Sequence, residues 1–190
     1  MKMKNKTDLL LLFAQGGTAA LFFNILYALS GITESSEEYA QVADKQFAYP
    51  LLTGILLYGI LSPVIEEILF RGAIYNLLKK FFGRIFAMVG SALLFGLYHG
   101  NIVQASYGFF LGLLIAFFYE RYGSFLVPVL LHSAANICVY IVSDSLLLQK
   151  VLINWTGCLA CGILTTVLFG LLIRLSGNAM SPKTNEKTRG

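Results

Sequence analysis

Five stretches of the chain run 20 or more positions without a charge: 25 residues between Asp8 and Glu34, 20 between Lys45 and Glu66, 35 between Arg84 and Glu120, 22 between Arg121 and Asp144, and 23 between Lys150 and Arg174. None shows the ten-residue alternation of a membrane β-strand, so in hydrocarbon each must satisfy its own backbone hydrogen bonds as helix. About 20 apolar residues span a bilayer core of about 30 Å. The windows predict helices near 8–30, 48–79, 85–99, 103–120, 126–143 and 151–174. The 35-residue window must be a hairpin, because one straight helix of that length would run about 52 Å, and Gly100-Asn101 offers the turn. Pro63 should kink the second helix, and Pro128 belongs in the first turn of the fifth.

Composition strengthens this pattern. Of 190 residues, 57% are hydrophobic and 13% charged, with 15 Phe, and the mean hydropathy is +0.72. A soluble enzyme and a disordered chain are both excluded. The fold class is all-α, a polytopic membrane protein with a bundle of about six transmembrane helices. Residues 1–190 read as a single membrane domain without repeat or linker, with 178–190 as a flexible tail. The first helix has 21 apolar-rich residues from Leu9 to Leu29, too many for a cleaved signal of about 7 to 15, so it is expected to stay.

Charge sets the expected orientation. With the N-terminus inside, six helices put Lys2, Lys4, Lys6, Lys79, Lys80, Arg84, Arg121, Arg174, Lys183, Lys187 and Arg189 in the cytoplasm and only Lys45 and Lys150 outside, 11 against 2, with Arg71 inside a helix. The positive-inside rule thus predicts both termini cytoplasmic. The net charge of +4 concerns this orientation; the expected partner is the lipid bilayer, not nucleic acid. Cys138, Cys158 and Cys161 all fall in predicted spans, where Cys158-x-x-Cys161 reads as packing. Gly96/Gly100 and Gly108/Gly112 are pairs that let helices approach closely.

Ionisable groups inside a span cost about 2.5 to 3.5 kcal/mol each on insertion scales. This chain places Glu66, Glu67, Arg71 and both of its histidines, His99 and His132, in or beside its apolar windows. Glu67 and Arg71 are one turn apart and can pair. Glu66 is rotated about 100° from Glu67 and is free to face something else. His132 and Asn136 also share a face. Counted along the helices from Lys79, Arg84 and Arg121, Glu66 lies about 20 Å deep, His99 about 22 Å and His132 about 16 Å. The expectation is a pocket near mid-membrane, wetted from the cytoplasmic side.

Glu66-Glu67-Ile68-Leu69-Phe70-Arg71 matches EExxxR, Phe95-Gly96-Leu97-Tyr98-His99 matches FxxxH, and His132-Ser133-Ala134-Ala135-Asn136 matches HxxxN. In this order on successive helices, over about 48–140, the three resemble the motifs of the CPBP (Abi) intramembrane proteases. That family includes CAAX prenyl endopeptidases and bacterial bacteriocin-processing or immunity proteins. The resemblance implies an endopeptidase in which Glu66 with His99 activates water, His132 and Asn136 stabilise the oxyanion, and Glu67 with Arg71 orients the site. Tyr98 and Asn101 read as ordinary helix-end residues. No cofactor is expected; the less favoured alternative is one zinc ion held by Glu66, His99 and His132, since Asn136 is a poor zinc ligand and Arg71 opposes a second cation.

Two other functions compete. Buried polar groups also clamp helices, at about 0.6 kcal/mol per hydrogen bond, which suits a catalytically silent membrane regulator or bacteriocin-immunity partner. A proton-relaying transporter is the other, disfavoured by the lack of inverted-repeat symmetry. The short chain and small loops suggest a bacterial cell membrane, with a small peptide or membrane protein as substrate. The C-terminal Lys187-Thr188-Arg189-Gly190 is not a CAAX box, and the sequence assigns no oligomeric state.

Overall fold

The computed structural model describes residues 6–177; the expected flexible tail, 178–190, lies outside the described residues. Within them are seven helices and no strand: α1 (Lys6–Leu29), α2 (Glu37–Phe47), α3 (Leu51–Tyr98), α4 (Ile102–Tyr122), α5 (Leu126–Asp144), α6 (Leu146–Leu152) and α7 (Trp155–Gly177). Among these, α1, α3, α4, α5 and α7 are long and apolar enough to cross a membrane. This is an all-α, polytopic, integral membrane protein.

As a straight rod α3 would reach about 72 Å. It is bent back instead at Gly83, whose φ of 81° and ψ of 173° are not helical and favour a residue without Cβ. Phe70 and Phe95, one on each arm, meet edge to face with ring centroids 5.1 Å apart. The arms, 51–82 and 84–98, restore the six-segment arrangement expected from the charge pattern. Gly100 then closes the next turn at φ 75°, and Asn101 Oδ1 caps α4 by accepting from Gln104 N–H at 2.9 Å.

Two features depart from the expected helices. The connection between α1 and α3 contains α2, capped by Ser36 Oγ, which accepts from Tyr39 N–H, with Glu37 and Glu38 in the first turn and Lys45 in the last. The last predicted helix, 151–174, begins instead as the short α6 and restarts as α7, where Asn154 Oδ1 accepts from Gly157 N–H at 2.9 Å.

Close packing rests on small residues. A Cβ at Gly96 would lie 2.3 Å from Ala105 O, and one at Gly112 would lie 3.2 Å from Ala92, so the second arm of α3 presses directly on α4. Gly100, expected to share that role, serves the turn. On the other side a Cβ at Gly16 would sit 2.2 Å from Leu131 O, bringing α1 against α5. Leu12, Leu111, Ile115, Phe118, Leu131 and Leu172 fill the core between them. Phe81, Phe82, Ile85, Leu159 and Ile163 are exposed, as suits a lipid-facing surface. All three cysteines are free thiols in helices.

The bundle has two unlike ends. At one, Lys79 pairs with Glu120 at 2.6 Å and Arg121 Nη2 donates to Ile173 O at 2.8 Å. The other carries α2, α6 and the turn at Gly100. Gly83→Ala should destabilise the protein by about 1–3 kcal/mol, the cost of a strained backbone position, whereas Gly170→Ala, with open space around it, should not. Thermal unfolding of the two variants in detergent compares them directly.

Candidate active site

Two parts of α3, Ile55–Leu61 and Ile68–Tyr75, are wound as π-helix, and between them the α-helical turn Ser62–Glu67 carries both glutamates. Such widened turns are frequent at functional sites. Here the chemistry of Pro63 explains one consequence. Ser62 N–H bonds five residues back to Leu57 O; in the same register Tyr58 O would be served by residue 63, and proline has no N–H. Asn136 Nδ2 fills the gap, donating to Tyr58 O at 2.8 Å. The kink expected at Pro63 therefore takes the form of a π-wound turn tied to α5.

Glu67 and Arg71 are both completely buried and pair at 2.7 Å. Arg71 Nη2 also donates to Gly112 O on α4 at 2.9 Å, and its guanidinium carbon lies 5.0 Å from the centre of the Phe95 ring. His132 Nδ1 lies 2.8 Å from the same Glu67 Oε1. Because a carboxylate only accepts, Nδ1 carries the proton there, and Nε2 is turned towards Glu66. Glu67 thus ties α3, α4 and α5 together through one buried arginine and one histidine.

Glu66 points the other way, as its 100° rotation requires. Its Oε1 accepts from Ser62 Oγ, and its Oε2, 3.6 Å from His132 Nε2, is beyond hydrogen-bond reach of it and has no hydrogen-bond partner among the described residues. His99 Nδ1 lies 2.9 Å from Phe95 O, so that nitrogen too is the donor and Nε2 remains available. Phe95 packs edge-on between the two imidazoles, with centroids 5.0 Å from His99 and 5.2 Å from His132.

Glu66, His99, His132 and Asn136 line one cavity of about 320 Å³. Glu67 and Arg71 lie behind its wall. Of the six residues singled out in the sequence, four therefore face the cavity and two hold the scaffold. Tyr98, expected like Asn101 to be an ordinary helix-end residue, also lines it, whereas Asn101 caps α4. Ser62 and Tyr58 were missed; the available signal was a hydroxyl one turn before Glu66, and the freed carbonyl five residues before a proline. The lining places the cavity in one half of the bundle. The lining comes from Asn24 and Tyr27 at the end of α1, from Tyr39 to Phe47 of α2, and from the adjoining halves of α3, α4 and α5; no residue of 67–94 or 112–131 contributes. The cavity is confined to the α2 half, away from Lys79 and Arg121, because Arg71, Phe70, Ile115 and Leu131 close it below.

Residues 48–138 match the family described as Type II CAAX prenyl endopeptidase Rce1-like, and this stretch holds all six residues. Through it, just under half of its length, the chain is similar to that family. Over 131 residues, 69% of its length, it is also 31% identical to "Putative membrane peptidase YdiL" of Bacillus subtilis (strain 168). The chain spans about half the length of that curated relative, 51%. Neither match names a bacteriocin function, and no solved structure matches the chain.

Replacing Glu67 or Arg71 by Ala should cost about 3–5 kcal/mol, because each change strands a fully buried partner charge. A fall in thermal stability, with reduced recovery of folded protein after extraction, is the expected result for both. Glu66→Ala should leave stability nearly unchanged by the same measurement.

Proposed function

We propose that this protein is an intramembrane endopeptidase that hydrolyses a peptide bond of a membrane-associated peptide or protein. The observation that carries the reading is Glu66 Oε2 at 3.6 Å from His132 Nε2 in a cavity that also contains His99. A water between Glu66 and the histidine nitrogens is held by acceptors and can lose a proton to the carboxylate. Glu66 takes that proton, the hydroxide adds to the scissile carbonyl carbon, and the carbonyl electrons move to oxygen. Asn136 spends one amide hydrogen on Tyr58 O and keeps a second for the oxyanion. His132, held at Nδ1 by Glu67, lines the same cavity and is the second group assigned to the oxyanion. When the tetrahedral adduct collapses, the C–N bond breaks and Glu66 returns its proton to the leaving amine.

Glu67 and Arg71 act through His132: they hold its ring by Nδ1 and never meet substrate. The reaction in this reading needs no metal. Arg71 beside Glu67 supports that, since a fixed positive charge there opposes a second cation.

Glu66→Gln, His99→Ala and His132→Ala should each abolish cleavage in a folded protein, and Asn136→Ala should lower turnover about 100-fold, as for loss of one oxyanion donor. The assay is release of product from a co-expressed membrane-anchored peptide library, read by mass spectrometry. Wild-type turnover by Glu66→Gln would leave a scaffold or regulator in place of an enzyme. Activity should also persist after stripping with a strong chelator; loss restored by stoichiometric zinc would make Glu66, His99 and His132 metal ligands.

A further inference from the structure

We infer that the cavity receives its substrate from the end of the bundle that carries α2, and that this end faces away from the cytoplasm. The scissile bond then belongs to an extracytoplasmic segment next to the membrane. The substrate part of this inference rests on the protease reading; the sidedness does not.

Three independent observations meet here. The first is the extent of the cavity. From its floor at Glu66, Leu111 and His132 every further lining residue lies towards α2, through Tyr58, Tyr107 and Gln104 to Tyr39, Val42 and Gln46. The second is the seal beneath it. Arg71 and Glu67 are wholly buried and bonded across to Gly112 O and His132, and Phe118, Ile115 and Leu131 fill the next layer without exposure. Water or an extended peptide has no polar route to Glu66 from the Lys79 end.

The third is the distribution of charge over the two ends. Lys6, Lys79, Lys80, Arg84, Arg121 and Arg174 belong to the closed end, against Lys45 and Lys150 at the cavity end. Short connections rich in Lys and Arg stay in the cytoplasm, so the closed end is the cytoplasmic one. The exposed Glu34, Glu37, Glu38 and Asp44 around α2 are compatible with the outer face. Five tyrosines in the lining, Tyr27, Tyr39, Tyr58, Tyr98 and Tyr107, suit the level where chain passes from lipid to water.

The test uses the full chain in sealed bacterial membrane vesicles of both orientations. Val42 lines the cavity mouth and Phe82 sits at the tip of the α3 hairpin, both exposed. With a membrane-impermeant maleimide, Val42→Cys should label at least ten times faster in right-side-out than in inverted vesicles, and Phe82→Cys the reverse. The opposite pattern overturns the inference. A cysteine-independent check is a C-terminal fusion, which should fluoresce as a green fluorescent protein and be inactive as an alkaline phosphatase; active phosphatase overturns it equally. A pool of impermeant, internally quenched peptides should be cut by right-side-out vesicles and not by their Glu66→Gln counterpart. Cutting confined to inverted vesicles refutes the extracytoplasmic substrate while keeping the protease. No cutting in either orientation or in detergent refutes the protease reading alone, and the labelling still decides the side.

Discussion

An arginine with no exposed surface, deep in a helix bundle, has to be neutralised and hydrogen-bonded where it stands, and Arg71 is served by Glu67 and by the Gly112 carbonyl. Both contacts depend on close approach. Gly112 lets the arm of α3 carrying Ala92 lie against α4, and the guanidinium rests on Phe95 from that same arm. Glu67 has one more role, holding His132 by Nδ1. A buried ion pair is weak evidence for stability in itself; here it fixes how three helices meet and which nitrogen of His132 faces the cavity.

The paired glutamates gain their different surroundings from helical geometry. A 100° step turns Glu67 into the seam and Glu66 into the cavity, where Ser62 and His132 are its neighbours. Pro63 contributes indirectly by freeing Tyr58 O, and Asn136 responds to it. The third motif is thus anchored at both of its ends, His132 through a carboxylate and Asn136 through a carbonyl of the same helix α3. Such double anchoring pre-organises donors, which oxyanion stabilisation requires.

Family similarity and geometry bear on different questions. The Rce1-like match covers 48–138 and so includes the motifs, but α1 and the whole of α2 lie outside it, and these supply one wall and the roof of the cavity. The approach to the cavity is accordingly set by the half of the bundle that carries α2. Tyr140 Oη donates to Gln46 O or Tyr49 O, at 3.1 and 2.9 Å, and so fastens the end of α2 to α5 beside the cavity mouth.

Helix class, the number of apolar segments and the identity of the polar residues were determined by the sequence alone. Lipid cannot solvate a backbone, so charge-free windows must be helices, and ionisable residues within them stand out. The pairing of Glu67 with Arg71 was equally legible, because it follows from one helical turn. Contacts between segments were not. That His132 joins Glu67 through Nδ1, that Asn136 serves Tyr58 O, and that Gly83 and not the charge cluster alone turns the chain are outcomes of packing between residues distant in sequence. The short amphipathic α2 escaped notice because its polar face resembles a loop. Depth measured along separate helices set the level of Glu66, yet not the side from which water reaches it; only the layer of Arg71, Ile115 and Leu131 beneath the cavity decided that, by filling the space with groups that leave no polar path.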